Sequence, residues 1–193
     1  MLGLKLKTDP RWANLAEKTL EEILTDHAYC EQKAATSGIS LIQMFPEKEK
    51  MVDEVVPVVA EEWGHFKMVL DELKRRGLKL GRQRKDEYVN ELLKFQQKGG
   101  ARDNVLIEKL LTFALIEARS CERFRILSTN LEDEHLRKFY HTFMVSEAGH
   151  YRMFLSLAEE YGGKEKVQKR WQEYLDHEKG IMERLEVRGD RMH

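Results

Sequence analysis

Two stretches of this sequence repeat one another: EEWGHFKMVL at residues 61–70 and SEAGHYRMFL at residues 146–155. From Glu62 and Glu147 onward, the copies share Glu, Gly, His, Met and Leu in the same register. In each copy the histidine follows the glutamate by three residues, so both lie on one face of a helix. A carboxylate beside an imidazole is a natural pair of metal ligands. The repeat therefore predicts two helices that deliver the same ligands to a metal site.

The same spacing occurs once more, at Glu132 and His135, but without the surrounding phrase. This third pair stands at a charged helix start and precedes His150 by 15 residues. That separation is about 22 Å by helical rise, too far for a shared site. We interpret the third pair as a solvated turn and keep His65 and His150 as the ligand histidines.

Each copy of the repeat also contains a glycine next to its histidine, at Gly64 and Gly149. A glycine inside a helix costs about 1 kcal/mol relative to alanine. We therefore expect a neighbouring backbone or a metal ion to approach these positions closely.

A duplicated ligand pair predicts a duplicated third ligand. A dinuclear site in a four-helix bundle takes one glutamate from each of the other two helices. Glu31 precedes Glu62 by 31 residues, and Glu117 precedes Glu147 by 30. Glu122 is the alternative to Glu117, but it lies about 140° around the helix from Glu117. The symmetric spacing favours Glu117.

The charges of these six residues also suit a pair of divalent ions. Four carboxylates and two neutral imidazoles carry a charge of −4, which two divalent cations neutralise. Without metal, four buried carboxylates would be strongly unfavourable, and some would protonate. Mixed carboxylate and imidazole ligation suits iron or manganese.

The composition indicates a helical protein. Of 193 residues, 41% are hydrophobic and 35% are charged, and only three are proline. Sustained helical periodicity predicts an all-α fold, a single domain over residues 1–193. We expect an antiparallel four-helix bundle with one long crossover after the second helix and an additional C-terminal helix.

Charge and cysteine content limit the environment of the protein. The net charge is −1, so nucleic-acid binding would need a local basic patch. Two cysteines, Cys30 and Cys121, fit a reducing compartment better than a disulfide scaffold. There is no apolar run of 18 residues and no signal-peptide pattern. These features predict a cytoplasmic protein without a membrane partner.

The six ligands together resemble those of the ferritin-like di-iron carboxylate proteins, a bundle class with Glu-x-x-His motifs. Within that class, several phrases resemble the family of tRNA 2-methylthio-N6-isopentenyladenosine hydroxylases. These phrases are DHAYCEQKAA, VAEEWGHFKMVLDEL, LLTFALIEARSCERF and FMVSEAGHYRMFLSLAEEY, with the crossover ending KGG. They span most of the chain, from about residue 15 to residue 165.

The resemblance implies an oxygen-dependent di-iron monooxygenase. It would hydroxylate the isopentenyl group of 2-methylthio-N6-isopentenyladenosine next to the anticodon in tRNA. The cofactors would be two iron ions, with O₂ as co-substrate and two electrons from an external reductase system. No catalytic residue beyond the metal ligands is implied.

Further residues are candidates for supporting roles. His27 lies one turn before Glu31 and is a candidate for a hydrogen bond to that carboxylate. The segment KRRGLKLGRQRK at residues 74–85 has seven basic residues and no acidic one, which predicts contacts with tRNA phosphates. These candidates are Lys74, Arg75, Arg76, Lys79, Arg82, Arg84 and Lys85.

Other functions share the same ligands. A ferritin-like iron-oxidising or iron-storage protein would need no organic substrate, and a di-manganese catalase would need no reductant. A helical bundle that only binds RNA or protein would hold no metal. The electron donor and the choice between monomer and dimer stay open at this stage.

Overall fold

A computed structural model of the chain describes residues 2–192, which form seven α-helices and contain no β-strand. The helices are α1 (Trp12–Lys18), α2 (Leu20–Met44), α3 (Glu49–Arg75), α4 (Glu87–Phe95), α5 (Arg102–Asn130), α6 (Glu134–Gly162) and α7 (Lys164–Arg184). The prediction of an all-α fold is confirmed. The long crossover joins α3 to α5 and contains the short helix α4, while α7 is the additional C-terminal helix. Within residues 2–192, no helix is both long and apolar enough to cross a bilayer.

The chain divides into two compact units. The first, here called the hairpin unit, comprises residues 14–85 and 188–192 and contains α2 and α3. The second, the α5–α6 unit, comprises residues 2–13 and 86–187 and contains α4 to α7. Each unit carries one copy of the repeated phrase. The expectation of a single domain stays a prediction.

A glycine on α2 allows the helices α2 and α3 to lie close together in the hairpin unit. Gly38 is buried, and a Cβ atom built on it would lie 2.6 Å from Cγ2 of Val59. Only a residue without a side chain fits at this contact, and α2 continues through it without a break. The helix α3 likewise continues through Pro57 and ends before Gly77, whose φ of 69° suits glycine.

Residues 188–192 belong to the hairpin unit. Nη1 of Arg84 donates to a carboxylate oxygen of Asp190 at 2.7 Å. The backbone N–H of Met192 donates to Asp26 at 2.8 Å, at the start of α2. These contacts tie residues 188–192 to α2 and to the beginning of the crossover.

Helix α5 forms the centre of the α5–α6 unit, with 18 of its residues buried. Buried charges hold neighbouring segments against it. The guanidinium of Arg119, which is fully buried, donates to Glu178 on α7 and to the carbonyl oxygen of Leu6. At the other end, Arg170 on α7 donates to both carboxylate oxygens of Glu108, at 2.8 and 2.9 Å.

Candidate metal centre

The hairpin unit contains a buried group of two carboxylates and one imidazole, formed by Glu31, Glu62 and His65. One ligand atom from each residue lies within 4.8 Å of the others. Nδ1 of His65 lies 3.3 Å from Glu31 and 3.7 Å from Glu62. The i, i+3 spacing places two of these side chains on one face of α3, and the middle of α2 supplies the third.

The α5–α6 unit contains a second group of the same composition, formed by Glu117, Glu147 and His150. Their ligand atoms also lie within 4.8 Å of one another. Nδ1 of His150 lies 3.6 Å from Glu147. All six side chains predicted as metal ligands are therefore buried, and each unit holds three of them as a Glu–Glu–His triad.

The donor chemistry of each triad fits one divalent ion. Two ionised carboxylates carry a charge of −2, and burying them without a cation is strongly unfavourable. Glutamate oxygens and imidazole nitrogens are ligands for iron and manganese. The buried Glu/His groups are thus compatible with a metal centre.

The alternative ligand Glu122 belongs to a different network. Its carboxylate accepts hydrogen bonds from the backbone N–H and the hydroxyl of Thr8, at 2.9 and 2.8 Å, and from Arg119 at 3.0 Å. Glu122 therefore helps to hold the N-terminal segment on α5, while Glu117 lies with Glu147.

Cys121, which precedes Glu122 on α5, stays a thiol at neutral pH. Burial and the nearby carboxylate of Glu147 raise its pKa to about 11. The thiol donates to the carbonyl oxygen of Met144 at 3.3 Å. Cys121 belongs to neither group of possible ligands, so the second triad keeps its carboxylate and imidazole character.

His27 occupies the position that its spacing to Glu31 predicts. The ring is fully buried, and its Nε2 lies 2.7 Å from Oε1 of Glu31. The other oxygen of Glu31 faces His65. A histidine that hydrogen-bonds a ligand carboxylate fixes its rotamer and orientation.

Two further residues near the histidines were not predicted, although their position in the repeat indicates them. Glu61 and Ser146 each lie four residues before a ligand histidine, in the first position of the repeated phrase. Oε1 of Glu61 lies 3.8 Å from Nε2 of His65, and Oγ of Ser146 lies 3.5 Å from Nε2 of His150. The i, i+4 spacing used for His27 would have found both.

No neighbouring backbone approaches the glycines of the repeat, so this part of the expectation is wrong. A Cβ atom built on Gly64 or Gly149 meets no heavy atom of the described residues within 4 Å. Close approach of a protein backbone does not explain these glycines. The structure offers no packing reason for them.

The third Glu-x-x-His pair is exposed. Glu132 and His135 both lie at the surface, at the start of α6. The backbone N–H of His135 donates to Asp133, the residue that caps this helix. Neither side chain belongs to a buried ligand group, which agrees with the interpretation as a solvated turn.

The predicted tRNA-binding cations all lie in the hairpin unit, but their surroundings differ. Arg75 and Arg76 donate to the buried carboxylate of Glu72, and Arg84 donates to Asp190. Lys74 pairs with an exposed aspartate at 3.2 Å. The remaining three are exposed on the crossover: Lys79, Arg82 and Lys85.

The helices and the two triads define a ferritin-like helical protein with buried carboxylate–histidine groups. A solved structure supports this class directly: "Protein 43 with aldehyde deformylating oxygenase activity from Synechococcus" matches with a TM-score of 0.91 and 30% identity. The match covers 98% of this chain and 94% of that one. It confirms the predicted ferritin-like fold.

A family model matches nearly the whole chain and identifies its family. The model of the tRNA-(MS[2]IO[6]A)-hydroxylase (MiaE) family matches residues 2–193, and the chain belongs to this family. A tRNA 2-(methylsulfanyl)-N(6)-isopentenyladenosine(37) hydroxylase from Pseudomonas putida is 38% identical over 80% of this chain and 74% of the relative. The enzyme of the same name from Salmonella typhimurium is 28% identical over 74% of this chain and 69% of the relative.

Proposed function

We propose that the protein hydroxylates the isopentenyl group of 2-methylthio-N6-isopentenyladenosine next to the anticodon of tRNA. The observation that carries this proposal is a hydroxylase family match over residues 2–193 together with two buried Glu–Glu–His triads. The named activity of two curated relatives supports the same substrate. A cytoplasmic location follows from the need to meet tRNA.

The proposed cofactor is a pair of iron ions, held by the triad of Glu31, Glu62 and His65 together with the triad of Glu117, Glu147 and His150. A di-iron pair supplies reductive activation of O₂ for C–H hydroxylation. One oxygen atom enters the substrate C–H bond as hydroxyl and the other leaves as water. The balance requires two protons and two electrons from an external reductase system.

The residues of the chain would control this chemistry by charge and position. The four glutamates would stay ionised, because two bound cations would compensate their buried charge. His27 would orient Glu31 through the 2.7 Å hydrogen bond. Burial of the triads keeps bulk water away, which strengthens electrostatic interactions there and suppresses side reactions.

The tRNA would be held through its phosphates by exposed cations. The crossover offers Lys79, Arg82 and Lys85 at the surface, and Lys74 and Arg75 are exposed at the end of α3. Contacts of this kind position a nucleic acid without reading its sequence. We propose that the protein is a monomer or a dimer. Its oligomeric state would decide whether one copy or two bind each tRNA.

The decisive experiment combines metal content with turnover. Anaerobic reconstitution with Fe(II) should give two irons per chain, and addition of hypomodified tRNA, reductant and ¹⁸O₂ should give hydroxylated nucleoside carrying one ¹⁸O atom. The variant Glu117→Ala should lose iron and turnover. The variant Glu122→Ala should keep its iron, because that carboxylate faces Thr8 and Arg119. Two irons without any tRNA product would refute the proposed function.

One other activity has a specific observation in its favour. The similar solved structure is named for aldehyde deformylating oxygenase activity, and it matches over 98% of this chain. The same iron-loaded protein should therefore be incubated with a long-chain aldehyde. Loss of the aldehyde carbon at a rate above that of tRNA hydroxylation would favour this second candidate. Oxidation of many Fe(II) ions per chain, or peroxide dismutation without reductant, would instead indicate iron storage or a catalase.

A further inference from the structure

A cavity of about 230 Å³ opens on the surface of the α5–α6 unit, between the first turns of α5 and of α7. Its apolar floor is formed by Ile107 on α5 and Val167 on α7, which are both buried. The cavity is separate from the triad of this unit, because Ile107 precedes Glu117 by ten residues, about 15 Å of helical rise. No metal ligand lines it.

One wall of the cavity is held in place by Arg170. The guanidinium donates to both carboxylate oxygens of Glu108 and, at 2.7 Å, to Glu173. Its central carbon also lies 4.4 Å from the ring centre of Phe95. The wall is therefore rigid, and a rigid site loses less conformational entropy when a ligand binds.

Two lysines at the cavity have no acidic partner. Both carboxylates that line it, on Glu108 and Glu173, accept hydrogen bonds from the same arginine. Nζ of Lys166 donates to the amide oxygen of Asn104 at 3.2 Å, and Lys169 is exposed. Within the described part of the chain, neither lysine pairs with a carboxylate. The two ammonium groups are thus available to an anion such as a phosphate group.

Two side-chain amides, on Gln97 and Asn104, also line the cavity. Among the described residues, the Gln97 side chain makes no hydrogen bond, and Asn104 uses only its oxygen. Amides of this kind pair with the edges of nucleobases, while lysines contact phosphates. The cavity is smaller than the about 300–1,000 Å³ of pockets that enclose a drug-sized ligand. It therefore suits one nucleotide and not a dinucleotide cofactor.

We propose that the cavity binds one unpaired nucleotide of the tRNA substrate. The base would lie on Ile107 and Val167. The phosphate would lie between Lys166 and Lys169. This inference rests on the proposed function and names a part of the protein that would hold the RNA. The bases of unpaired nucleotides are free for such contacts, and about 15 Å along α5 lets one RNA loop reach both the cavity and Glu117.

Lysine acetylation read by mass spectrometry tests the site in the wild-type protein. An anticodon stem–loop oligonucleotide should protect Lys166 and Lys169 from acetylation. Lys138 on α6 and Lys179 on α7 are also exposed and should react as before. The paired stem without its loop should protect none of them. Equal protection by the stem alone, or protection by adenosine 5′-monophosphate but not by the stem–loop, would overturn the proposal.

Charge reversal measures the phosphate contact. Lys166→Glu together with Lys169→Glu should weaken stem–loop binding about tenfold and lower its salt dependence by about 0.7 units of slope per lost contact. Lys138→Glu together with Lys179→Glu is the matched control. Asn104→Leu should weaken binding without changing the slope, because it removes a base contact but no charge. Thermal unfolding of each variant excludes loss of the fold.

The outcomes separate this inference from the proposed function, because binding is measured without iron, O₂ or reductant. A protein that hydroxylates tRNA, and whose affinity and slope survive reversal of Lys166 and Lys169, would overturn the nucleotide site alone. A protein that binds the stem–loop through these lysines but forms no hydroxylated product would overturn the proposed function and leave the nucleotide site standing.

Discussion

Nε2 of His27 lies 2.7 Å from Oε1 of Glu31, one turn along α2, with both side chains buried. Glu31 is thereby held from two sides, because its second oxygen lies 3.3 Å from Nδ1 of His65. A carboxylate in this position has little freedom to rotate away from a bound cation. The hydrogen bond is therefore expected to contribute to metal affinity.

Removing this hydrogen bond should weaken metal binding. We expect His27→Ala to lower Fe(II) or Co(II) affinity about 10–100-fold, the usual cost of losing a partner of a ligand. Equilibrium dialysis of the folded apoprotein measures the effect. His141→Ala on α6 is the matched control, since that histidine is exposed. Unchanged affinity and turnover in His27→Ala would exclude this role.

The exposed cations of the crossover should contribute to tRNA binding. We expect Lys79→Glu, Arg82→Glu and Lys85→Glu together to weaken tRNA affinity and to reduce its salt dependence by about one unit of slope per lost phosphate contact. Filter binding over a range of salt concentrations measures both. Lys179→Glu on α7 is a control with the same charge change. An unchanged slope would show that the tRNA lies elsewhere.

Charge reversal at the end of α3 should affect tRNA binding and stability together. Arg75 and Arg76 both donate to Glu72, which is buried. Reversing Lys74, Arg75 and Arg76 should weaken tRNA binding, but it also places like charges around Glu72. Thermal unfolding must therefore accompany the binding assay. Full tRNA affinity in a folded triple variant would remove these three residues from the interface.

The buried carboxylate of Glu108 should make stability depend on pH. Burial alone would raise its pKa, but hydrogen bonds from Arg170, Gln97 and Tyr174 hold it below the ordinary value of 4.5. The unfolded chain thus binds a proton more readily than the folded one, so this stabilisation is present above pH 4.5 and is lost as the pH falls through the lower folded pKa.

Replacing the Glu108 carboxylate with an amide tests the direction of this pH dependence. We expect Glu108→Gln to cost about 1.5–3 kcal/mol at pH 7, the usual value of hydrogen bonds to a charged group. The difference from wild type should shrink as the pH falls below 4.5. Urea unfolding at pH 7 and pH 3 measures it. Glu173→Gln is the control, since Glu173 also pairs with Arg170 but is exposed. A difference that grows toward acid pH would contradict the assignment.

Two glycines should respond oppositely to alanine. Gly64→Ala should stabilise the apoprotein by up to about 1 kcal/mol, because the added methyl group has open space and alanine favours the helix. Gly38→Ala should destabilise it by about 1–3 kcal/mol, because the Cβ would meet Val59 at 2.6 Å. Urea unfolding of the two variants measures both changes in the free energy of unfolding. A destabilising Gly64→Ala would indicate an undetected steric constraint.

The repeated phrase was sufficient to predict that each glutamate lies beside its histidine on one helix face. An i, i+3 pair is fixed by helix geometry alone, so Glu62 and His65 had to lie side by side once α3 formed. The third residue of each triad was predicted from its equal spacing to the pair along a second helix. Local periodicity and internal symmetry were thus sufficient to predict the all-α fold and the residue types of the triads.

Contacts between distant segments could not be predicted in this way. No pattern around Glu122 shows that its carboxylate accepts from Thr8, 114 residues away. Nor does the basic run at residues 74–85 show that Arg84 donates to Asp190 and is not directed to solvent. Such pairings depend on where the terminal segments pack, and periodicity does not encode that. The expected close approach of a backbone to Gly64 was wrong, because the surroundings of an added Cβ can be tested only in three dimensions.

The attachment of residues 188–192 to the hairpin unit also bears on how the protein is made. Arg84 and Asp190 lie 106 positions apart, so the ribosome must translate all of α4 to α7 between them. The part of the molecule synthesised early therefore acquires these contacts only after α4 to α7 have been made. Until then, Asp26 and Arg84 on the nascent chain lack their final neighbours. A chaperone or protease would find this edge of the hairpin unit accessible during that interval.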